Sequence, residues 1–288
     1  MNRKDFIKAS IGIPLMSMNL KEFKKEVIGN KTANVSMPVL FVGHGSPMNA
    51  IEDNSFSRSW SKLGKELPEP KAILCISAHW QTKGTKVTAM AYPKTIHDFG
   101  GFPKALFDVN YPAPGTPEFA ELTIQQFKNI HVSADFEWGL DHGSWSILKP
   151  MFPKANIPCY QLSLDYTASP AQHVEIAKQM LSLRNKGVLI IGSGNIVHNL
   201  GLLNWEGKPF DWAIEFDQIS KNKIEHNDLN SLIHYSSLGK AANLSIPSNE
   251  HYLPLLYAMA LRQKSDDLHF FNESIEMGSI SMRSFRLG

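Results

Sequence analysis

Three apolar stretches that each lead into a histidine constrain the fold of this chain more than any other feature. The stretches are residues 38–43 before His44, residues 71–78 before His79, and residues 187–192 before His198. Short apolar runs bounded by glycine are typical of strands buried on both faces of a sheet. Because open α/β sheets bind ligands at the carboxyl ends of their strands, we expect the three histidines near one edge. We also expect the strands before His44 and His79 to be neighbours.

Segments with helical spacing separate these strands and predict an α/β domain. The predicted helices cover residues 54–67, 117–129, 169–185, 211–226, 229–235 and 249–261. Further strands are predicted at residues 87–92, 131–136 and 158–164, with two short strands within 268–287 around Met277-Gly278. The long connection 93–117 is rich in proline, glycine and aromatic residues, which is typical of a lid or a substrate wall. No repeat or linker divides residues 37–288, which predicts a single domain.

The composition excludes several classes of partner. Hydrophobic residues make up 43% of the 288 residues and charged residues 19%, without an apolar run of membrane-spanning length. The formal net charge is +2 and no basic block is interleaved with aromatic residues, so we expect neither a nucleic-acid nor a membrane partner. Cys75 and Cys159 both lie in apolar runs, which predicts buried free thiols rather than a disulfide. The oligomeric state does not follow from the sequence.

Residues 1–36 precede the predicted domain and form an N-terminal extension. Arg3 and Lys4, followed by a short and weakly apolar segment, resemble a twin-arginine export signal whose second arginine is replaced by lysine. No small-residue cleavage site follows, and residues 21–31 are rich in charge. We expect a cytoplasmic protein, with export to the periplasm as the alternative.

Four histidines at the ends of predicted strands or the start of a predicted helix are candidate metal ligands. They are His44, His79, His198 and His251. Neutral imidazole is the commonest side-chain ligand of first-row metals, and strand ends in one sheet converge. The alternative is that these histidines cap strands and bond to backbone groups, because no two histidines lie four residues apart.

His142 and His97 are further candidates for the same site. His142 lies between Asp141 and Gly143, a position that suits a general acid or base. The alternative for His142 is a loop histidine that is hydrogen-bonded to Asp141. His97 lies beside Asp98 in the long connection and is a candidate for the pocket wall.

Seven short motifs occur in order along residues 37–288. They are Gly43-His44-Gly-Ser-Pro47, Ser77-Ala-His79-Trp80, His97-Asp98-Phe99-Gly-Gly-Phe102, Asp141-His142-Gly-Ser144, Asn195-Ile-Val-His198-Asn199, Glu250-His251-Tyr-Leu-Pro254 and Glu276-Met-Gly-Ser279. Together they resemble the 4,5-DOPA extradiol dioxygenase family of class III, or LigB-like, ring-cleavage enzymes. The resemblance implies a single-domain α/β fold in which helices flank a central mixed β-sheet.

The resemblance also implies one divalent metal, with Fe(II) needed for activity and Zn(II) found in some bacterial members. Four residues match the metal-site histidines of the family, namely His44, His79, His198 and His251. His142 matches a histidine proposed as acid or base. Iron sites of this kind commonly use two histidines and a carboxylate, for which Glu250 is available, whereas four histidines suit a closed zinc site. We expect His44 and His79 to be ligands, while His198 or His251 can act as an acid or base.

The activity implied by the resemblance is extradiol cleavage of DOPA or a related substituted catechol by O2, which gives a muconate semialdehyde. His142 or His198 would then take a proton from the catechol, and His97, Phe99 and Phe102 would face its ring. Two alternatives stay open. One is a zinc-bound protein of the same fold that acts as a hydrolase, and the other is a non-oxygenase protein that binds a metal or a ligand.

Overall fold

A central sheet of eight strands positions the site. The computed structural model describes residues 36–288, so the export-like segment and nearly all of the predicted extension lie outside the described residues. The strands are β1 (Val39–Gly43), β2 (Ala72–Thr82), β3 (Thr85–Thr88), β4 (Val132–Asp135), β5 (Cys159–Asp165), β6 (Val188–Gly194), β7 (Leu268–Phe271), β8 (Ile275–Glu276), β9 (Ile280–Ser281) and β10 (Ser284–Leu287). Strands β8 and β9 form a separate hairpin, and the others form the sheet in the order β4-β3-β5-β2-β6-β1-β10-β7.

The sheet is mixed, as the resemblance implies. Strand β6 is parallel to both β1 and β2, and β2 is parallel to β5. Strand β10 is antiparallel to β1 and β7, while β3 is antiparallel to β5 and parallel to β4. Every residue of β1 and β6 is buried. Burial on both faces explains why these strands read as continuous apolar runs rather than as an alternating pattern.

The strands before His44 and His79 are not neighbours, so that prediction is wrong. Strand β6 lies between β1 and β2 and is hydrogen-bonded to both. Apolar runs indicate that a strand is buried, but they do not say which buried strands pair. The three strands that lead to His44, His79 and His198 are therefore adjacent and parallel, and their carboxyl ends lie at one edge of the sheet.

Helices flank the sheet. They are α1 (Ser55–Glu66), α2 (Lys104–Phe107), α3 (Pro117–Ile124), α4 (His142–Met151), α5 (Pro170–Lys178), α6 (Leu181–Arg184), α7 (Asp211–Glu225), α8 (Leu229–Ile233), α9 (Lys240–Ser245) and α10 (Leu253–Ala260), with 3-10 turns at Pro47–Ala50 and Tyr235–Leu238. Helix α4 contacts β2, β6 and α1, whereas α10 contacts β1, β2, β6 and α5. Capping boxes fix two of the helix starts: Asn54 caps α1 and Ser169 caps α5.

Several element boundaries differ from the predicted ones. Strand β3 ends at Thr88 instead of beginning near residue 87, and α3 ends five residues early. The predicted helix over 169–185 is divided into α5 and α6. The sequence did not predict α4, because Gly143 near its start and Pro150 within it are poor helix formers. Only the β8–β9 hairpin surrounds Met277-Gly278; β7 and β10 extend the main sheet.

The two cysteines are free and buried, as predicted. Burial raises the pKa of both the Cys75 and the Cys159 thiol, which keeps them protonated. Within residues 36–288, no helix combines the length and the apolar character needed to cross a membrane.

Candidate metal and active site

Five histidines from separate segments converge at the carboxyl edge of β1, β2 and β6. His44 follows β1 directly, His79 lies in the last part of β2, and His198 comes shortly after β6. His142 begins α4, and His251 lies just before α10. The ring centroids of His44, His79 and His251 are 5.0 to 5.3 Å apart, and the His142 ring lies 3.8 Å from that of His79. The structure thus brings together all five histidines that the sequence singled out as ligands or acid–base groups.

Three of these imidazoles present nitrogens that fit a single metal ion. The potential ligand atoms of His44, His79 and His251 all lie within 4.8 Å of one another. The Nε2 atoms of His44 and His79 are 3.2 Å apart. In a tetrahedral site with bonds of about 2.1 Å, two ligand nitrogens are separated by roughly 3.4 Å, so the observed distance suits one shared ion. The donor set of imidazoles suits a divalent first-row metal.

Carboxylates face the second nitrogen of two of these rings. Glu250 Oε1 lies 3.0 Å from His251 Nδ1, and Asp98 Oδ2 lies 3.4 Å from His79 Nδ1. A carboxylate beside Nδ1 favours a proton on that atom and leaves Nε2 free for a metal. Glu250, which the sequence left open as a ligand, therefore supports His251 and is not one of the three converging groups.

Burial keeps four of the imidazoles neutral, namely those of His44, His79, His198 and His251. It lowers the pKa of His44 and of His251 well below the ordinary value, and the surrounding histidines lower both further. Burial also lowers the pKa of His79 to about 3 and the pKa of His198 to about 4. Neutral imidazole is the form that binds metals, so these rings need not lose a proton first near pH 7.

His198 lies beside the three converging groups rather than among them. Its ring stacks on that of His251, with centroids 3.5 Å apart and planes inclined by 7°. With Glu250 and His251 it forms a second, overlapping group of potential ligand atoms. Of the four histidines that the sequence predicts as ligands, the structure brings three together directly and places the fourth against the face of His251.

Asp98 holds His142 and connects it to His79. The backbone N–H of His142 donates to Asp98 Oδ1 at 2.9 Å, and His142 Nδ1 lies 3.0 Å from Asp98 Oδ2. Burial opposes ionisation of Asp98, yet the contacts with His142 lower the pKa of this carboxyl group. The alternative partner suggested by the sequence, Asp141, instead caps α4 and accepts hydrogen bonds from the backbone and hydroxyl of Ser144. The acid–base candidate and a ligand candidate therefore share one carboxylate.

The long connection 93–117 supplies an aromatic ring to the site. The Phe99 ring lies 5.5 Å from that of His142 in an edge-to-face arrangement. Phe102 and His97 contact Phe99, at 5.3 and 5.7 Å between ring centroids. His97 Nε2 lies 3.0 Å from the backbone oxygen of Val109. Of the three residues predicted to face the substrate, Phe99 contacts a site histidine, while His97 and Phe102 contact Phe99.

Sequence reasoning missed the role of Asp98, because its neighbour His97 has the more distinctive side chain. A usable signal was present. Ligand histidines almost always donate their second ring nitrogen to a carboxylate, a carbonyl or water, so an acidic residue in a long connection is a natural candidate for that partner.

Comparisons with known proteins agree on one family. The family model described as the catalytic LigB subunit of aromatic ring-opening dioxygenase matches residues 32–277. A 4,5-DOPA dioxygenase extradiol of Escherichia coli (strain K12) is 46% identical over 274 residues, covering 92% of this chain and 98% of that protein. The protein of the same name from Beta vulgaris is 34% identical over 255 residues, covering 85% and 94%. The crystal structure of an uncharacterised E. coli K12 protein superposes with a TM-score of 0.77 at 42% identity, covering 88% of this chain and 100% of that one.

Proposed function

This chain belongs to the LigB family of catalytic subunits of aromatic ring-opening dioxygenases, and we propose that it cleaves DOPA or a related substituted catechol with O2 at a divalent metal. One observation carries the proposal: three neutral imidazoles, His44, His79 and His251, converge beside His142, which is free of that triad. The choice of DOPA is supported by the names of relatives from a bacterium and a plant.

His44, His79 and His251 would hold the metal, and we take Fe(II) as the metal of the active enzyme. Bound Fe(II) would supply the electronic pathway that lets O2 react with a catechol. Three protein ligands leave room for substrate atoms, unlike the closed four-ligand sets of structural zinc sites.

His142 is the group we assign to removing a proton from a catechol hydroxyl. Asp98 Oδ2 faces its Nδ1 at 3.0 Å, so Nε2 is the nitrogen that can take the proton. The same carboxylate stabilises the imidazolium that results. His198, stacked on His251, is the second acid–base group, and we assign to it the return of a proton to the opened product.

Phe99 is the residue we assign to packing against the substrate ring. It lies edge to face with His142, and offset or edge-to-face contact is the favoured geometry between aromatic rings. A phenyl group there also keeps bulk water away from His142, which strengthens the interaction of the imidazolium with Asp98.

A zinc protein of the same fold without oxygen chemistry is the second candidate. One observation favours it: the three converging residues are all histidines, a ligand set that zinc enzymes use. Such a protein would retain zinc tightly and would show no O2 consumption after zinc is exchanged for iron.

The test begins with metal-free protein prepared without oxygen and then loaded with Fe(II) or with Zn(II). Oxygen consumption is measured on a panel of catechols that includes DOPA, together with the absorbance of the yellow semialdehyde. We expect consumption of O2 that matches the loss of catechol in the Fe(II) form alone. Absence of uptake with every catechol in the Fe(II)-loaded protein would reject the dioxygenase proposal and favour the zinc protein.

A further inference from the structure

Ser193 connects the first ligand candidate to the helix that carries His142. It lies in β6, between β1 and β2, and it is fully buried. Its Oγ atom lies 3.0 Å from His44 Nδ1, and its hydroxyl donates to the carbonyl oxygen of Gly143 at 2.5 Å. These two contacts link the end of β1 to the start of α4.

The direction of these bonds fixes the protonation of His44. A carbonyl oxygen only accepts, so the single hydroxyl proton of Ser193 is used toward Gly143. Toward His44 the hydroxyl oxygen is then an acceptor, and Nδ1 must carry the proton. A neutral imidazole has one N–H, which leaves the lone pair on Nε2, the atom that lies 3.2 Å from His79 Nε2. The tautomer that results is the one a metal requires.

We propose that Ser193 is a positioning residue that sets the tautomer and ring orientation of His44 and thereby the metal affinity of the site. The inference rests on the metal site of the proposed function. His79 and His251 have carboxylates beside Nδ1, whereas His44 has a neutral hydroxyl. Ser193 therefore orients the ring without adding negative charge to the site.

Close approach of α4 makes this link available. A Cβ atom at Gly143 would meet the hydroxyl of Ser77 and the ring of His79, so glycine allows the helix to lie against the strands. The carbonyl oxygen of Gly143 then comes within reach of Ser193. Through this oxygen, the orientation of His44 is coupled to the helix turn that carries His142.

Zinc affinity of the full-length, metal-free protein tests the role, with competition against a chromophoric chelator as the measurement. We expect Ser193→Ala to weaken Zn(II) binding by about 10- to 100-fold, the usual cost of losing such a partner. Ser193→Thr keeps the hydroxyl and restores most of the affinity. Ser220→Ala is the matched control, since Ser220 is buried and its hydroxyl has no partner in the described residues. It should bind zinc as the wild type does.

Nitrogen-15 NMR of the histidine rings in wild-type, metal-free protein reads the tautomer directly. We expect the His44 proton on Nδ1, and a proton on Nε2 overturns the inference even if Ser193→Ala does not fold. Zinc affinity of Ser193→Ala within threefold of the wild type also overturns it. Neither measurement involves O2 or a catechol. A wild type that binds zinc and has this tautomer, yet shows no oxygenase activity with iron, would reject the proposed reaction and leave the role of Ser193 standing.

Discussion

The chain buries histidine in two different ways, at the site and between two helices. At the site, the potential ligand atoms of His44, His79 and His251 lie within 4.8 Å of one another. Between α5 and α10, His173 is fully buried, and its Nδ1 lies 2.9 Å from the hydroxyl of Tyr257. Burial lowers the pKa in both regions, to about 4 for His173 and to about 3 for His79.

A lowered pKa therefore does not distinguish the functional region from the structural one, but the partners of each ring do. In the described part of the chain, the His173 ring packs against Tyr257, and Asp165 is the charged group that acts on it. At the site, several neutral imidazoles bring nitrogen lone pairs together, and such acceptors repel unless a cation or a proton lies between them. Convergence of like acceptors, rather than burial alone, marks the region that we propose as the metal site.

The largest expected effects come from removing one histidine in each region, which should affect activity at the site and stability between the helices. His79→Ala removes a proposed metal ligand, so we expect loss of bound metal and a fall in kcat/KM on DOPA of at least about 10³-fold. His173→Ala leaves the site intact but creates a cavity, so we expect unchanged kcat/KM and a free energy of unfolding lower by about 2 to 4 kcal/mol. Metal analysis, kinetics and urea unfolding measure the metal content, kcat/KM and free energy of unfolding of both variants.

Two results would contradict the assignment of His79 to the functional region and of His173 to the structural one. If His173→Ala lost its activity while keeping its metal and its fold, His173 would belong to the functional region. Retention of full metal content by His79→Ala would remove His79 from the ligand set.

A second prediction separates proton transfer from metal binding within the site. In His142→Ala we expect kcat to fall by about 10²- to 10⁴-fold, because the proposed general acid–base group is lost, while metal content stays at the wild-type level. His131→Ala is the control, since His131 is exposed and directly precedes β4, the edge strand of the sheet. Kinetics and metal analysis of the two variants decide the matter; loss of metal in His142→Ala would place His142 among the ligands.

A third prediction concerns the histidine that lies beside the triad. We expect His198→Ala to keep its metal and to lose roughly 10- to 100-fold in kcat, because His198 stacks on His251 and does not join the converging groups. His251→Ala, in contrast, should lose the metal. Equal loss of metal from both variants would indicate the four-histidine site that the sequence suggests.

Most of the fold could be predicted from the sequence, because a buried strand or helix has a recognisable local pattern of apolar residues. Strands such as β1 and β6 are buried on both faces and read as apolar runs, and α1 begins where Asn54 caps it. The pairing of strands has no such local pattern, so the position of β6 between β1 and β2 could not be predicted from the composition of these strands. Helix α4 was not predicted for a related reason: its helix propensity is low, and its close packing against the strands at Gly143 outweighs this.

The candidate site could be predicted only for those histidines that lie at the end of a strand or the start of a helix. His44, His79 and His198 follow strands whose ends converge, so their proximity follows from the sheet. The groups that orient them come from elsewhere in the chain. Asp98 lies on an irregular connection, and which side chain it contacts depends on tertiary structure that no local pattern encodes.

The smallest expected effect is on acid stability, and it isolates the structural histidine. The unfolded chain binds a proton at residue 173 near pH 6.5, whereas in the folded protein burial lowers the pKa of His173 to about 4. Between these values the unfolded state holds more protons, so this group lowers the stability as the pH falls from about 6.5 toward 4. It has no effect above that range.

Comparison of the wild type with His173→Gln measures this contribution, because the clustered histidines are the same in both proteins and cancel in the difference. Glutamine does not titrate, and it can keep a hydrogen bond to the hydroxyl of Tyr257. We expect the difference in free energy of unfolding between the two proteins to change in favour of His173→Gln as the pH falls from 6.5 to 4, and to be constant between pH 7 and 9. Urea titrations of the metal-free proteins give the two profiles. Parallel profiles across the acid range would show that His173 is protonated as readily in the folded protein as in the unfolded chain. The contrast between the two regions would then rest only on the comparison of His79→Ala, which should lose activity, with His173→Ala, which should lose stability.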